Sequence, residues 1–174
     1  PDGTYLIVLN VTSGEVTIIS TYNQKVVTTI KVGDMPSGLA ISSDGKIAYV
    51  NNRVSNTVTA LDIAKRTVAG TIKVGQSPSG IALSPDDTKL YVACGRDNTI
   101  TVYDTKSQAQ LQQMHLPPDI EFPGSLCLLQ NGAKLLVASH QGDALGIIDT
   151  ATMEVERRTS LGHSHHEVVW VPAP

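Results

Sequence analysis

The chain has 174 residues, a formal net charge of −3, 41% hydrophobic residues and 17% charged residues. The apolar share excludes a disordered chain. The near-neutral charge argues against nucleic acid as a partner, because phosphate binding needs clustered Lys and Arg. No apolar run approaches the roughly 18 residues that a membrane span requires, so no span is predicted. The length predicts a single domain over residues 1–174.

β-Branched residues dominate the composition, with 18 Val, 13 Ile and 17 Thr. Their side chains lose rotamer freedom in helices and pack well on pleated sheets. Apolar stretches such as 16–19 and 57–61 are bounded by Gly, Pro, Asn, Asp and Ser clusters typical of turns. No segment keeps an apolar 3.6-residue period for three turns. The composition and pattern therefore predict an all-β chain.

One sequence unit repeats along the chain. Residues 30–38 (IKVGDMPSG) return at 72–80 (IKVGQSPSG), a step of 42 residues, and the turn Ser43-Asp44-Gly45 returns at 85–87 with the same step. The next step is 45 residues, because 116–122 (LPPDIEF) carries an insertion. The repeats predicted in chain order are 1–35, 36–77, 78–122 and 123–167, followed by 168–174 as the start of a further repeat or a closing strand.

The 36–77 repeat shows the predicted elements best. It divides into strands at 39–42, 47–51, 57–62 and 67–74, separated by an Asp-Gly turn and short polar turns. Asp-Gly turns pair neighbouring strands antiparallel. Four strands in about 40 to 45 residues are typical of a β-propeller blade. We therefore expect four-stranded antiparallel blades, about four blades' worth of sequence, as part of a seven- or eight-bladed ring or as a closed smaller one.

Four motifs resemble those of the YVTN family of β-propeller repeats, found in bacterial and archaeal surface and periplasmic proteins. They are 49–52 (YVNN), 91–94 (YVAC), 56–62 (NTVTALD) and 98–104 (NTITVYD). The resemblance implies a propeller fold and a periplasmic or extracellular location. It does not imply one activity, because such blades serve many functions.

All five histidines map to one end of the predicted blades. His140 falls in a loop between second and third strands, and His163, His165 and His166 fall in the link to the next blade, while His115 ends an outermost strand. Imidazole is a common ligand of Zn, Cu and Fe. We single out His140, His163, His165 and His166 as cofactor-binding candidates and the last three as metal-ligand candidates, for a transition metal or a haem. The alternative is a histidine cluster with no ligand, since His-x-His-His matches no zinc signature.

A second resemblance concerns this link. Some propellers similar to the haem domain of periplasmic nitrite reductases carry Gly-His-Ser-Pro-His there, and residues 162–166 read Gly-His-Ser-His-His. The resemblance implies a modified haem, although His165 replaces the proline.

The cysteines, three recurring aspartates and the insertion can also be interpreted from the sequence. Cys94 and Cys127, 33 residues apart, are expected as buried free thiols, with a disulfide as the alternative. Asp62, Asp104 and Asp149 recur once per repeat, which is typical of turn capping. The acidic insertion at 117–123 is expected as a surface loop, with the rim of a pocket or a partner contact as the alternative.

Strong blade sequence beside weak chemical motifs favours a non-catalytic binding or scaffold module, which recognises a protein or cell-surface ligand through its loop face. The first alternative is a periplasmic redox or cofactor-binding propeller that uses the histidines, and the second is a lactonase-like hydrolase. Three assemblies stay open: a closed four-bladed ring, a homodimer completing an eight-bladed ring, and a piece of a longer protein. The abrupt start favours a processed or excerpted chain.

Overall fold

The computed structural model describes residues 2–160 and 162. Those residues contain fifteen β-strands and one 3₁₀ turn, and no α-helix, so the all-β prediction is confirmed. None of the described segments forms a helix long and apolar enough to cross a membrane. The strands are β1 Tyr5–Asn10, β2 Glu15–Ser20, β3 Val26–Lys31, β4 Pro36–Ile41, β5 Ile47–Asn52, β6 Thr57–Asp62, β7 Thr67–Lys73, β8 Pro78–Leu83, β9 Lys89–Cys94, β10 Thr99–Asp104, β11 Gln110–His115, β12 Pro123–Leu129, β13 Lys134–Ser139, β14 Ala144–Asp149 and β15 Glu154–Ser160.

The strands form four antiparallel sheets in which chain neighbours pair. The first sheet contains β1–β3, and the other three contain β4–β7, β8–β11 and β12–β15, each in simple up-and-down order. The four-stranded antiparallel sheets and the number of repeats agree with the prediction. β4 begins at Pro36 rather than at the predicted residue 39, because Pro36 pairs with Asn52 across an irregularity in the register before Gly38.

A shift in register recurs between the last two strands of every described sheet. It falls at Ile18/Ile19, Ala60/Leu61, Val102/Tyr103 and Ile147/Ile148. Bulges of this kind bend a strand and increase its twist. Because the four irregularities occupy equivalent positions, the repeat specifies strand register as well as strand position.

The turn between the first and second strands is built by a serine and an aspartate. Ser42 Oγ donates to Asp44 Oδ1 at 2.8 Å and accepts from Ile47 N at 2.9 Å. Gly45 then takes a φ of +71°, and Asp87 takes a φ of +59° at the equivalent place. Asp tolerates this left-handed region better than most residues, which explains why the third repeat can replace the glycine.

The chain forms two compact units that divide between Pro78 and Ser79. The core of the first unit includes Val16, Ile18, Val50 and Leu61, each at most 1% exposed. The core of the second unit is also aliphatic and includes Ile100, Leu135 and Ile148. Ile120, from the insertion, is part of this second core and is fully buried.

Candidate functional site

Every sheet has two ends that differ in their connections. The loops between second and third strands and the links between sheets lie at the same end, which we call the loop end. In the second unit the loop end contains residues 95–98, 116–122 and 140–143. Strand pairing brings them together, because Thr99 pairs with both Cys94 and His115. Pro123 likewise pairs with Ser139.

An asparagine anchors each link that follows a four-stranded sheet in the described chain. Asn56 and Asn98 adopt φ values of +55° and +52°. Asn56 Oδ1 accepts a hydrogen bond from Ser77 N at 2.8 Å, and Asn98 Oδ1 accepts one from Phe122 N at 3.2 Å. The insertion therefore lengthens the third link without moving its end out of register. It places Phe122 where the preceding link has Ser77.

The insertion is a packed segment rather than a plain surface loop. Ile120 is 0% exposed, and its N–H donates to Pro117 O at 2.9 Å. A Cβ added to Gly146 of β14 would lie 2.5 Å from the Ile120 side chain, so the glycine makes room for it. Arg158 of β15 holds the outside of the segment through two contacts to the Asp119 carboxylate, at 2.9 and 3.0 Å. Hydrophobic burial and the ion pair together fix the path of the insertion.

The Glu121 carbonyl ties the insertion to the loop after β13. It accepts hydrogen bonds from the Ser139 hydroxyl, from Gln141 N at 3.2 Å and from Gly142 N at 3.3 Å. A Cβ at Gly142 would lie 2.4 Å from the Asp119 carbonyl oxygen, so this close approach needs glycine. Three hydrogen bonds and one close backbone approach therefore join the two segments.

Two aromatic side chains pack against glycines at the loop end. The rings of Phe122 and His140 stack with centroids 6.1 Å apart and planes 10° apart. A Cβ on Gly95 would lie 2.6 Å from the Phe122 ring, and one on Gly124 would lie 2.2 Å from the His140 ring. The equivalents of Gly124 in the two preceding four-stranded sheets are serines, at 37 and 79. In the fourth repeat glycine thus replaces this serine, and the imidazole of His140 occupies the space.

A surface depression that offers about 330 Å³ to water-sized molecules opens beside the phenyl ring. Its lining is Gly95, Arg96, Asn98, Glu121, Phe122 and Gln141. The Asn98 amide is occupied, since Nδ2 donates to Leu116 O at 3.1 Å and Oδ1 accepts from Phe122 N. The depression thus combines an apolar ring with several planar polar groups.

The structure describes two of the five histidines, and both belong to the loop end. His140 stacks on Phe122, while His115 is exposed at the end of β11. His163, His165 and His166 lie outside the described residues, so the cofactor and metal assignments stay predictions. Within the described residues no three His, Cys, Asp or Glu side chains gather closely enough to hold a metal ion. Cys94 is buried and Cys127 is half-buried, and neither forms a disulfide.

Asp62, Asp104 and Asp149 cap turns, as predicted. The bonds are Lys65 N to Asp62 at 2.8 Å, Ser107 N to Asp104 at 2.6 Å and Ala151 N to Asp149 at 2.9 Å. All three carboxyl pKa values are lowered by these contacts. The largest cause is the Lys65 N–H for Asp62, the Ser107 hydroxyl for Asp104 and the Lys134 ammonium for Asp149.

Burial raises the pKa of Tyr103 to about 12. Its phenol therefore stays protonated at neutral pH and serves as part of the packed sheet.

Sequence reasoning did not single out Arg96, Phe122, Glu121 and Gln141 individually. The available signal was departure from the repeat: glycine at 95 and 124 and an aromatic residue at 122, where sister repeats have other residues. That signal identifies positions with altered packing, but it cannot show that the two loops meet at one depression.

Comparisons with known proteins agree with the architecture. A chain titled Kuenenia stuttgartiensis hydrazine synthase matches with a TM-score of 0.86 and 29% identity over 92% of this chain. The match covers 47% of that chain, so the present chain spans about half its length. No curated protein sequence matches. In all, 1360 chains of solved structures are similar, so the fold by itself does not indicate one function.

The model of the family described as "Lactonase, 7-bladed beta-propeller" matches residues 15–129, about two thirds of the chain. Together with the solved structure, this match confirms the predicted β-propeller. The chain belongs to the seven-bladed β-propeller lactonase family.

Proposed function

We propose that the chain is part of a non-catalytic β-propeller module that recognises a protein or cell-surface ligand through the loop end of its second unit. One observation carries the proposal: the ring-on-glycine packing of Phe122 and His140 departs from the repeat at the loops that line the depression. The turn aspartates, in contrast, have their carboxylates occupied by backbone and lysine donors. The residues that depart from the repeat therefore lie at the loops around the depression, where a ligand could bind.

Preorganisation supports the same proposal. The backbone of the lining segments is held by Asn98, by the Glu121 carbonyl and by buried Ile120. A binding surface that is already rigid loses little conformational entropy when a ligand binds.

The test is a screen of the purified chain against glycan and peptide arrays, with three variants. Arg96→Ala and Gln141→Ala remove exposed side chains that line the depression, and Lys106→Ala removes a charge from the opposite, hairpin end. We expect a ligand whose binding falls in the first two variants and is unchanged in the third. Binding that none of the loop-end variants alters would contradict the proposed site.

A redox or cofactor-binding propeller is a second candidate, favoured by the fixed imidazole of His140. In this candidate His140, His163, His165 and His166 hold a transition metal or a haem, with the last three as the metal ligands. Among the described residues the structure supplies one of these imidazoles, seated between Phe122 and Gly124. Metal analysis and an absorption spectrum of untagged protein test this candidate, and stoichiometric metal or a haem band would support it. If both signals are absent even after reconstitution with metal or haem, the cofactor-binding candidate is contradicted.

A lactonase-like hydrolase is the third candidate, favoured by the family assignment. Turnover of a sugar lactone by the purified chain would support it and would contradict a non-catalytic module. Turnover that survives conversion of His140, His163, His165 and His166 to Ala would place the catalytic site elsewhere.

The repeat type, the cellular location, the partner and the assembly are also proposals. We infer YVTN-type repeats, a periplasmic or extracellular location and a partner other than nucleic acid. A homodimer that completes a larger ring is one proposed assembly, beside a closed four-bladed ring and a piece of a longer protein. Analytical ultracentrifugation of the 174-residue chain tests it, and a monomer at micromolar concentration would contradict the homodimer.

A further inference from the structure

Three planar polar groups around the depression have no partner among the residues that the structure describes. No hydrogen bond or ion pair among the described residues involves the side chains of Arg96, Glu121 or Gln141. Each of these side chains is exposed, and each contributes to the lining beside Phe122. A guanidinium, a carboxylate and a carboxamide thus line the same depression as a phenyl ring.

These groups match the hydrogen-bonding pattern of neighbouring hydroxyls. A guanidinium offers two parallel N–H donors, a carboxylate two acceptors, and a carboxamide one of each kind. Vicinal hydroxyls both donate and accept, so a sugar ring can satisfy all three groups at once. The phenyl ring of Phe122 provides an apolar contact for the C–H groups of the same sugar.

The charges that line the depression cancel. Arg96 contributes one positive charge and Glu121 one negative charge, and the remaining lining residues are uncharged. A phosphate, a nucleic acid or a strongly charged peptide would leave one of the two lining charges facing a like charge. The depression therefore favours an uncharged ligand.

We propose that the depression binds a neutral, hydroxyl-rich ligand, namely an uncharged segment of a glycan. This inference rests on the proposed binding function and names its ligand class. Its size is consistent, because the volume open to water-sized molecules is about 330 Å³, at the lower end of the usual range of roughly 300–1,000 Å³ for small-ligand sites.

The test is an array of neutral, acidic and sulfated oligosaccharides, followed by calorimetric titration of the strongest ligand. We expect a neutral oligosaccharide to bind, and Arg96→Ala or Gln141→Ala to weaken it about tenfold or more, as expected for loss of a hydrogen bond to a charged or bidentate group. Arg96→Lys keeps the charge but loses the planar donor pair, so it should weaken binding nearly as much. Lys106→Ala is the matched control, and thermal unfolding should be the same for all four variants because the side chains are exposed.

The outcomes separate the two proposals. Preferential binding of acidic or sulfated sugars, or of a peptide, that still depends on Arg96 and Gln141 would overturn the neutral-glycan inference and leave the loop-end binding function standing. Binding insensitive to every loop-end variant would overturn both. Equal loss in Arg96→Ala and Lys106→Ala would mean a non-specific effect of charge and would also overturn the inference.

Discussion

Gly95 and Gly124 show how single residues shape the loop end. Both lie where a Cβ would collide with an aromatic ring, and neither has a positive φ that would itself require glycine. Their role is therefore to provide space. At the residue scale the candidate site therefore depends on the absence of a side chain at Gly95 and Gly124 as well as on the aromatic residues that pack there.

Gly124→Ala should displace the imidazole of His140, because the new Cβ would lie 2.2 Å from its Cδ2. We expect a loss of about 1–3 kcal/mol in the free energy of unfolding, as for other overpacked sites. Urea denaturation measures it, and NMR should show the His140 ring protons losing the ring-current shift from Phe122. The double variant Gly124→Ala/His140→Ala should recover much of the loss. Equal destabilisation in single and double variants would contradict this packing.

Cys94 interrupts a hydrogen-bonding pattern of the repeat. At the equivalent position Asn52 Nδ2 donates to Thr57 Oγ1 at 3.0 Å, whereas the Thr99 hydroxyl beside Cys94 is buried and has no hydrogen-bond partner in the described chain. Cys94→Asn should therefore raise the free energy of unfolding by about 1 kcal/mol. Asn52→Cys, the reciprocal control, should lower it. A lower stability of Cys94→Asn in urea titration would show that the amide does not fit.

At the scale of elements, the insertion between β11 and β12 acts as an added piece of core. Ile120→Ala should cost about 2–5 kcal/mol, the usual range for emptying a fully buried aliphatic site. Leu111→Ala in neighbouring β11, where the side chain is 49% exposed, is the control and should cost much less. Similar losses in the two variants, measured by chemical denaturation, would mean that the insertion is not anchored by Ile120.

The serine–aspartate turns make stability depend on pH. Contacts led by the Lys46 side chain lower the pKa of Asp44 from 3.8 to about 2. A carboxyl with a lowered pKa stabilises the fold above its unfolded pKa and loses that effect as the pH falls towards its folded pKa. Asp44→Asn should thus be less stable than wild type at pH 7, and the difference should shrink between pH 4 and pH 2. Urea titrations across that range test it, and a difference independent of pH would contradict it.

Elements were more predictable from sequence than contacts. Alternation and turn residues locate β6 at Thr57–Asp62, as predicted, because the pattern is local. The start of β4 was predicted three residues late, since pairing around a register irregularity leaves no mark in the apolar pattern. The burial of Ile120 was likewise missed: a proline-rich insertion has the composition of a loop, and only tertiary packing on Gly146 reveals its anchor.

At the scale of the whole molecule, features that recur in every repeat can be told apart from features that occur in one repeat. We assign the first kind to the architecture and the second kind to the candidate site. The bulges, the turn aspartates and the anchoring asparagines recur from sheet to sheet, so they belong to the architecture. Phe122 with its insertion and His140 with Gly124 do not recur in the described repeats. The sequence predicted His140 at the loop end from repeat spacing alone. It could not predict the stack with Phe122, because that contact joins segments from two different blades.

The described residues form four sheets, while the family is described as seven-bladed and the similar hydrazine synthase chain is about twice as long as this chain. The activity of a complete ring is therefore a proposal, whereas the loop end of the second unit can be tested in the chain itself. Its lining comes from residues of one compact unit.

Hydrogen–deuterium exchange, measured with and without the strongest oligosaccharide from the array, shows which segments the ligand contacts. We expect slower exchange in residues 95–98, 116–122 and 140–143 when the ligand is present, and unchanged exchange in the turns at 43–46, 85–88 and 105–109. Protection of those turns, with the loop-end segments unaffected, would contradict binding at the loop end.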